Sequence, residues 1–205
     1  MRIAVLVSGR GSNLQALIEG VHGREAEIVA VASDRAGAPA LERAATAGIP
    51  AAVFPRADYE NRTERDLAMG DWVLARGAEL VVLAGYMALL TPEFVTRFPD
   101  RIVNVHPSLL PAFAGIRAIE QAIDRGVKVV GVTVHLVDEG VDTGAILLQR
   151  AIPMPDTREA AEVHAALQPL EHELLPAAVR LFAAGRVRRD PAEPGRVVIA
   201  PADAS

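Results

Sequence analysis

Ile102-Val103-Asn104-Val105-His106-Pro107-Ser108-Leu109-Leu110-Pro111 is a β-branched run that ends on an amide and an imidazole and is then stopped by prolines. Strand side chains alternate with period two, so Asn104 and His106 project to the same side. Pro107 has no N–H to give to a ladder and Pro111 fixes its own φ, so the sheet cannot continue past His106. A strand tip bearing two hydrogen-bonding groups is where an open parallel sheet places its chemistry.

Outward from this tip, apolar β-rich runs alternate with segments of helical period. Strands are expected at Ile3–Val7, Ile28–Ala32, Ala51–Phe54, Leu80–Ala84, Ile102–His106, Val129–Leu136 and Ala145–Ile152. Helices are expected at Leu14–Glu19, Pro39–Ala47, Thr63–Arg76, Pro92–Phe98 and Ile116–Asp124, with Thr91 as the cap before Pro92. This βαβ rhythm predicts an α/β fold with a doubly wound, mostly parallel, Rossmann-like sheet. The longest helical segment, Arg158–Phe182, contains Pro169 and Pro176, which predicts a break or kink near residue 168. After Gly185 a turn and a late hairpin strand around Val197-Val198-Ile199 are expected, with Pro201 to Ser205 frayed.

Composition narrows the class. The 205 residues suit one ordinary domain, and 51% hydrophobic with only 4% aromatic content describes an Ala, Val, Leu and Ile core, the kind found in sheets covered on both faces. With no cysteine, disulfides, thiolate metal sites and cysteine nucleophiles are excluded. A net charge of −5 argues against a nucleic-acid surface. The start Met1-Arg2-Ile3-Ala4-Val5-Leu6-Val7 is too short for a signal h-region, and no apolar run reaches the length of a membrane span. A soluble, cytoplasmic protein with no membrane partner is expected.

Four constellations could carry chemistry. Ser8-Gly9-Arg10-Gly11-Ser12-Asn13 joins the first strand to a helix; glycines allow close approach and a helix start favours an anion, so a phosphate is the expected guest. Leu14 stands where a dinucleotide fingerprint needs glycine, so a phosphomonoester fits better than a pyrophosphate. The plainer alternative is a tight turn with Ser12 or Asn13 capping the helix. At the second, Asn104 and His106, the competing reading is a capping amide and a satisfied buried histidine. The acidic loop Asp138-Glu139-Gly140-Val141-Asp142-Thr143-Gly144 offers a carboxylate that could reach the imidazole and favour its cationic form. The fourth, Val82 to Pro92, ends a strand in an apolar loop suited to a flat aromatic ligand or to core packing. His135, inside Val132-Thr133-Val134-His135-Leu136, reads as structural. His135 with Asp138 matches no metal-ligand spacing, so no metal is expected, and no G-x-S-x-G elbow is present.

Together, Ser8 through Gln15, Leu83-Ala84-Gly85-Tyr86-Met87, Asn104 through Pro111 and Asp138 through Gly144 resemble the phosphoribosylglycinamide formyltransferases, folate-dependent enzymes of purine synthesis. The likeness runs in one register from the first strand to about Phe182. It implies one formyltransferase domain over 1–205, with 1–100 the phosphate-binding half, 101–185 the catalytic and folate half and 186–205 a tail. It implies that Gly11, Ser12, Asn13, Gln168, Pro169, Leu170 and Glu171 bind glycinamide ribonucleotide, with Glu171 accepting from ribose hydroxyls. Arg62, Met87, Ala88, Leu89, Leu90, Asn104, Asp138, Glu139, Gly140, Val141 and Asp142 would line the site of the co-substrate 10-formyltetrahydrofolate. Asn104, His106 and Asp142 would be catalytic, with Asp142 raising the histidine pKa. Partners would be small molecules only, and the state a monomer or weak homodimer.

Three positions depart from the family's usual pattern. Ala88 stands where arginine is common, and Ala114 and Arg117 replace proline and histidine, which bears on folate affinity and on the mobility of that loop. A methionyl-tRNA formyltransferase would need an added basic domain. A formyltetrahydrofolate deformylase would send water at the same carbon, and its relatives carry an N-terminal regulatory domain. A non-catalytic phosphoribosyl-binding module would use the first loop alone.

Overall fold

In the first unit, residues 1–104, the chain crosses repeatedly from strand to helix: β1 (Arg2–Val7), α1 (Ser12–Gly20), β2 (Glu27–Ser33), α2 (Ala40–Thr46), β3 (Ala51–Val53), α3 (Arg62–Ala75), β4 (Leu80–Leu83) and α4 (Pro92–Val95), ending inside β5 (Ile102–His106). The computed structural model describes residues 1–193 and 195–201. The strands of this unit follow the order β3-β2-β1-β4-β5, and every pairing between them is parallel. Ile3 to Val7 of β1 are fully buried, because a strand with parallel neighbours and helices on both faces has no wet side. The chain winds outward one way from β1 through β2 to β3 and the other way from β4 to β5. With right-handed crossovers this reversal is the doubly wound arrangement predicted, and it creates a switch point between β1 and β4.

The second unit, residues 105–201 of the described chain, contains α5 (Ala118–Asp124), β6 (Val129–Leu136), β7 (Ile146–Pro153), α6 (Ala160–Ala183), β8 (Val187–Arg189) and β9 (Val197–Ile199). β6 pairs antiparallel with β7, and β8 with β9 forms the expected late hairpin. The expectation of a frayed end falls mostly on residues 202–205, outside the described residues. No helix among the described residues is long and apolar enough to cross a membrane.

One local expectation is corrected: no break interrupts the helix near residue 168. α6 runs unbroken from Ala160 to Ala183, with Pro169 and Pro176 inside it. Each interior proline costs about 3 kcal/mol. Against that, Val163, Leu167, Leu174, Leu175, Val179 and Phe182 are buried where the helix packs on β6, β7 and α5, at about 1.5–3 kcal/mol each. Packing therefore overrides propensity. Thr91 does hold the cap position of α4, but its hydroxyl is buried without a hydrogen bond, and its N–H donates to Asp66 Oδ2 at 2.7 Å. The carboxylate from α3 thus takes the N–H of the cap residue itself. α4 itself closes after one turn at Val95, short of Phe98.

Candidate active site

In the second unit, the end of β5 and the proline loop after it are held by one buried hydroxyl. Thr133 on β6 accepts from Leu110 N at 3.1 Å and donates to the Ser108 carbonyl at 2.7 Å. Gln149 on β7 donates to both the Leu110 carbonyl and Thr133 Oγ1, and Ser108 Oγ donates to the Ala112 carbonyl at 2.6 Å. Gly131 makes room for the loop, since a Cβ there would lie 2.5 Å from Leu109 Cδ2. The Leu110–Pro111 peptide is cis. The chain leaves this clamp through Phe113, whose left-handed φ of 56° costs about 1–3 kcal/mol for a non-glycine residue. Its carbonyl oxygen sits 2.9 Å from His106 Nε2.

The other nitrogen of that ring faces the acidic loop. His106 Nδ1 and Asp142 Oδ2 are 3.3 Å apart. One ring nitrogen thus faces a carbonyl and the other a carboxylate. Asp142 too has a left-handed backbone, φ 55°, and the loop around it tolerates no bulk. A Cβ at Gly144 would lie 1.9 Å from the Leu136 carbonyl oxygen, and one at Gly140 would lie 2.0 Å from Thr143 Oγ1. Asp138 accepts from Gly140 N at 3.0 Å and from Thr143 Oγ1 at 2.7 Å, so its carboxylate shapes the loop while Asp142 meets the histidine.

Asp142 also accepts from Gly115 N at 2.8 Å, and His135 Nε2 lies 3.4 Å from its other oxygen. Burial opposes ionisation of this carboxyl, but hydrogen bonds from His135 and Gly115 and the charge of His106 outweigh burial and hold its pKa below the usual carboxylate value. His135, expected to be structural, therefore shares the carboxylate of the site. The sequence signal that could have found it is its place on β6 just before the acidic loop. Gln168, Pro169, Leu170 and Glu171 form consecutive positions of α6, with Glu171 on the buried face and Pro169 exposed.

The first unit places its candidates at the switch point. Gly11 has φ 76° and precedes α1, and a Cβ there would lie 2.6 Å from Ala40 Cβ, so only glycine fits. Ser12 and Asn13 make the first turn of α1, which answers the capping alternative: the cap residue is Gly11, with no side-chain cap bond. Arg43 of α2, which the sequence did not mark, donates to the Arg10 carbonyl at 2.9 Å and to Gln15 Oε1 at 3.0 Å, fastening the loop to the helix it opens. Ser8 N donates to the Gly85 carbonyl at 3.2 Å, and Met87 N donates to Ser8 Oγ at 2.8 Å, so the loops after β1 and β4 are joined. Met87 and Leu89 are more than half exposed, Ala88 and Leu90 are half-buried, and Arg62 is exposed at the start of α3. The far end of that loop is anchored by the buried Arg65–Asp66 pair, 2.5 Å apart, through Asp66 and Thr91 N. Asn104 is half-buried on β5, two residues before His106.

Known proteins share this arrangement of sequence and fold. The formyl transferase family profile matches residues 1–179. The chain is 44% identical over 189 residues to a phosphoribosylglycinamide formyltransferase of Haemophilus influenzae, covering 91% of this chain and 89% of that one. It is 44% identical over 190 residues to a human trifunctional purine biosynthetic protein, covering 91% of this chain and 19% of that longer protein. The crystal structure of a glycinamide ribonucleotide transformylase from Symbiobacterium toebii superposes with a TM-score of 0.93 at 45% identity, over 98% of this chain and 94% of that one.

Proposed function

Since the chain belongs to the formyl transferase family, with the activity of a phosphoribosylglycinamide formyltransferase of purine biosynthesis, we propose that Asn104, His106 and Asp142 carry the transfer. The formyl group moves from 10-formyltetrahydrofolate to the amine of N1-(5-phosphoribosyl)glycinamide. The amine attacks the formyl carbon, and the carbonyl oxygen gains charge as the tetrahedral intermediate forms. The Asn104 amide and the His106 N–H donate to that oxygen, and losing one such donor typically costs ~10²- to 10³-fold in rate. Collapse breaks the bond to the folate nitrogen, which takes its proton from the imidazolium. The proton lost by the attacking nitrogen restores the ring.

The contact that carries this assignment is Asp142 Oδ2 at 3.3 Å from His106 Nδ1, with Nε2 turned away to an acceptor at 2.9 Å. The carboxylate favours the charged ring and orients it, and the Phe113 carbonyl stands in for the acceptor that a reacting oxygen or nitrogen replaces. Gly11, Ser12 and Asn13 hold the substrate phosphate at the start of α1, as the helix dipole and close backbone approach favour. Gln168, Pro169, Leu170 and Glu171 serve its ribose side, and Arg62, Met87, Ala88, Leu89, Leu90, Asn104 and Asp138 through Asp142 serve the folate. The domain 1–205 works as one formyltransferase unit, in keeping with a single family match over 1–179. Its setting is the cytoplasm, where small molecules of purine synthesis are the partners.

The test follows loss of 10-formyltetrahydrofolate with and without glycinamide ribonucleotide. Loss that requires the amine supports transfer, whereas formate released without it would show a hydrolase. His106→Ala should abolish the amine-dependent loss.

A further inference from the structure

Asp142 is gripped from two sides by two imidazoles. His106 on β5 approaches Oδ2, and His135 on β6 approaches Oδ1 at 3.4 Å. His135 is 2% exposed, and its Nδ1 faces the Leu136 carbonyl at 2.8 Å. Both ring nitrogens thus face oxygen atoms. Beside it the β6–β7 register slips, with Val134 opposite Leu148 and His135 opposite Ile146, so the extra residue, Leu147, lies on β7.

We infer that His135 is a positioning residue for the transfer, clamping Asp142 Oδ1 so that Oδ2 faces His106 Nδ1. This rests on the assignment of His106 and Asp142 above. The Gly115 N–H holds Oδ2 from the remaining side at 2.8 Å, so the carboxylate is fixed by the ends of β5 and β6 and by the loop before α5. The titratable groups that face Asp142 are His106 from β5 and His135 from β6, while the 113–117 loop contributes an amide.

The experiment uses the full chain and measures kcat and KM for both substrates across pH in His135→Gln, His135→Leu and His106→Ala, with imidazole nitrogen NMR of His106. Gln keeps a donor toward Oδ1 and should hold kcat within about threefold of wild type. Leu removes the donor and should lower kcat ~10²-fold, the scale of an ångström-level misplacement, with both KM values little changed. Should Leu fail to fold, His135→Ala takes its place with the same expectation. Wild-type kcat and His106 nitrogen shifts in the folded variant that lacks the donor, beside an inactive His106→Ala, overturn the positioning role and leave the His106 assignment standing. Full turnover in His106→Ala overturns both.

Discussion

Asp142 faces His106 across 3.3 Å, from a backbone held at φ 55° and against a ring whose far nitrogen is already taken by a carbonyl. This relation sets what substitutions near the site should do.

Asp142→Asn keeps the shape and removes the charge that favours the imidazolium. Its kcat should fall, and because the working acid is the protonated ring, the loss of turnover on the basic side should move to lower pH. A pH–rate profile checks this. An unmoved basic limb would remove Asp142 from the proposed role.

Acid stability follows from the same carboxyl, whose pKa is depressed in the fold. Between its folded and unfolded values the unfolded chain binds more protons, so stability rises with pH there. The contribution is present above the unfolded value and is lost as pH falls through the folded one. Thermal melts stepped down from pH 5 should show a steeper loss for wild type than for Asp142→Asn. Parallel curves would contradict the linkage.

Gly144→Ala should disturb the site through its loop. The added Cβ meets the Leu136 carbonyl oxygen at 1.9 Å, a clash with backbone that only a shift of the loop relieves, at about 1–3 kcal/mol. Lower kcat together with a lower Tm is expected, and a variant with both unchanged would show that the loop has slack.

Asp66→Ala leaves Arg65 charged and buried without its partner, and frees Thr91 N at the end of the Met87–Leu90 loop. Breaking such a pair from one side costs about 3–5 kcal/mol. The urea midpoint should drop accordingly, with KM for the folate substrate raised. A drop below about 1 kcal/mol would place the pair with weak surface ion pairs.

Gly11→Ala forces a left-handed residue against Ala40 and should raise KM for the phosphorylated substrate far more than for the folate. Equal effects on the two would deny the loop its phosphate.

The alternation of apolar runs and helical periods was enough to read β1 to β7 and their winding, because strand and helix periodicity are local properties of the chain. β5 and β6 fell on the predicted residues, and most other elements within one or two. Asn104 and His106 stood out for the same reason, as a strand tip stopped by prolines, and so did the glycine-punctuated acidic loop, while Asp142 within it was singled out by the family resemblance. What depended on distant partners was not legible. α6 continues through Pro169 and Pro176 because its buried face is packed by β6 and β7, an energy no window of the helix contains. Arg43 under the first loop, Asp66 at Thr91 N, and above all His135 beside Asp142 are meetings of residues from separate elements. Periodicity says which way a side chain points, but only the assembled fold decides which groups share a hydrogen bond or a charge.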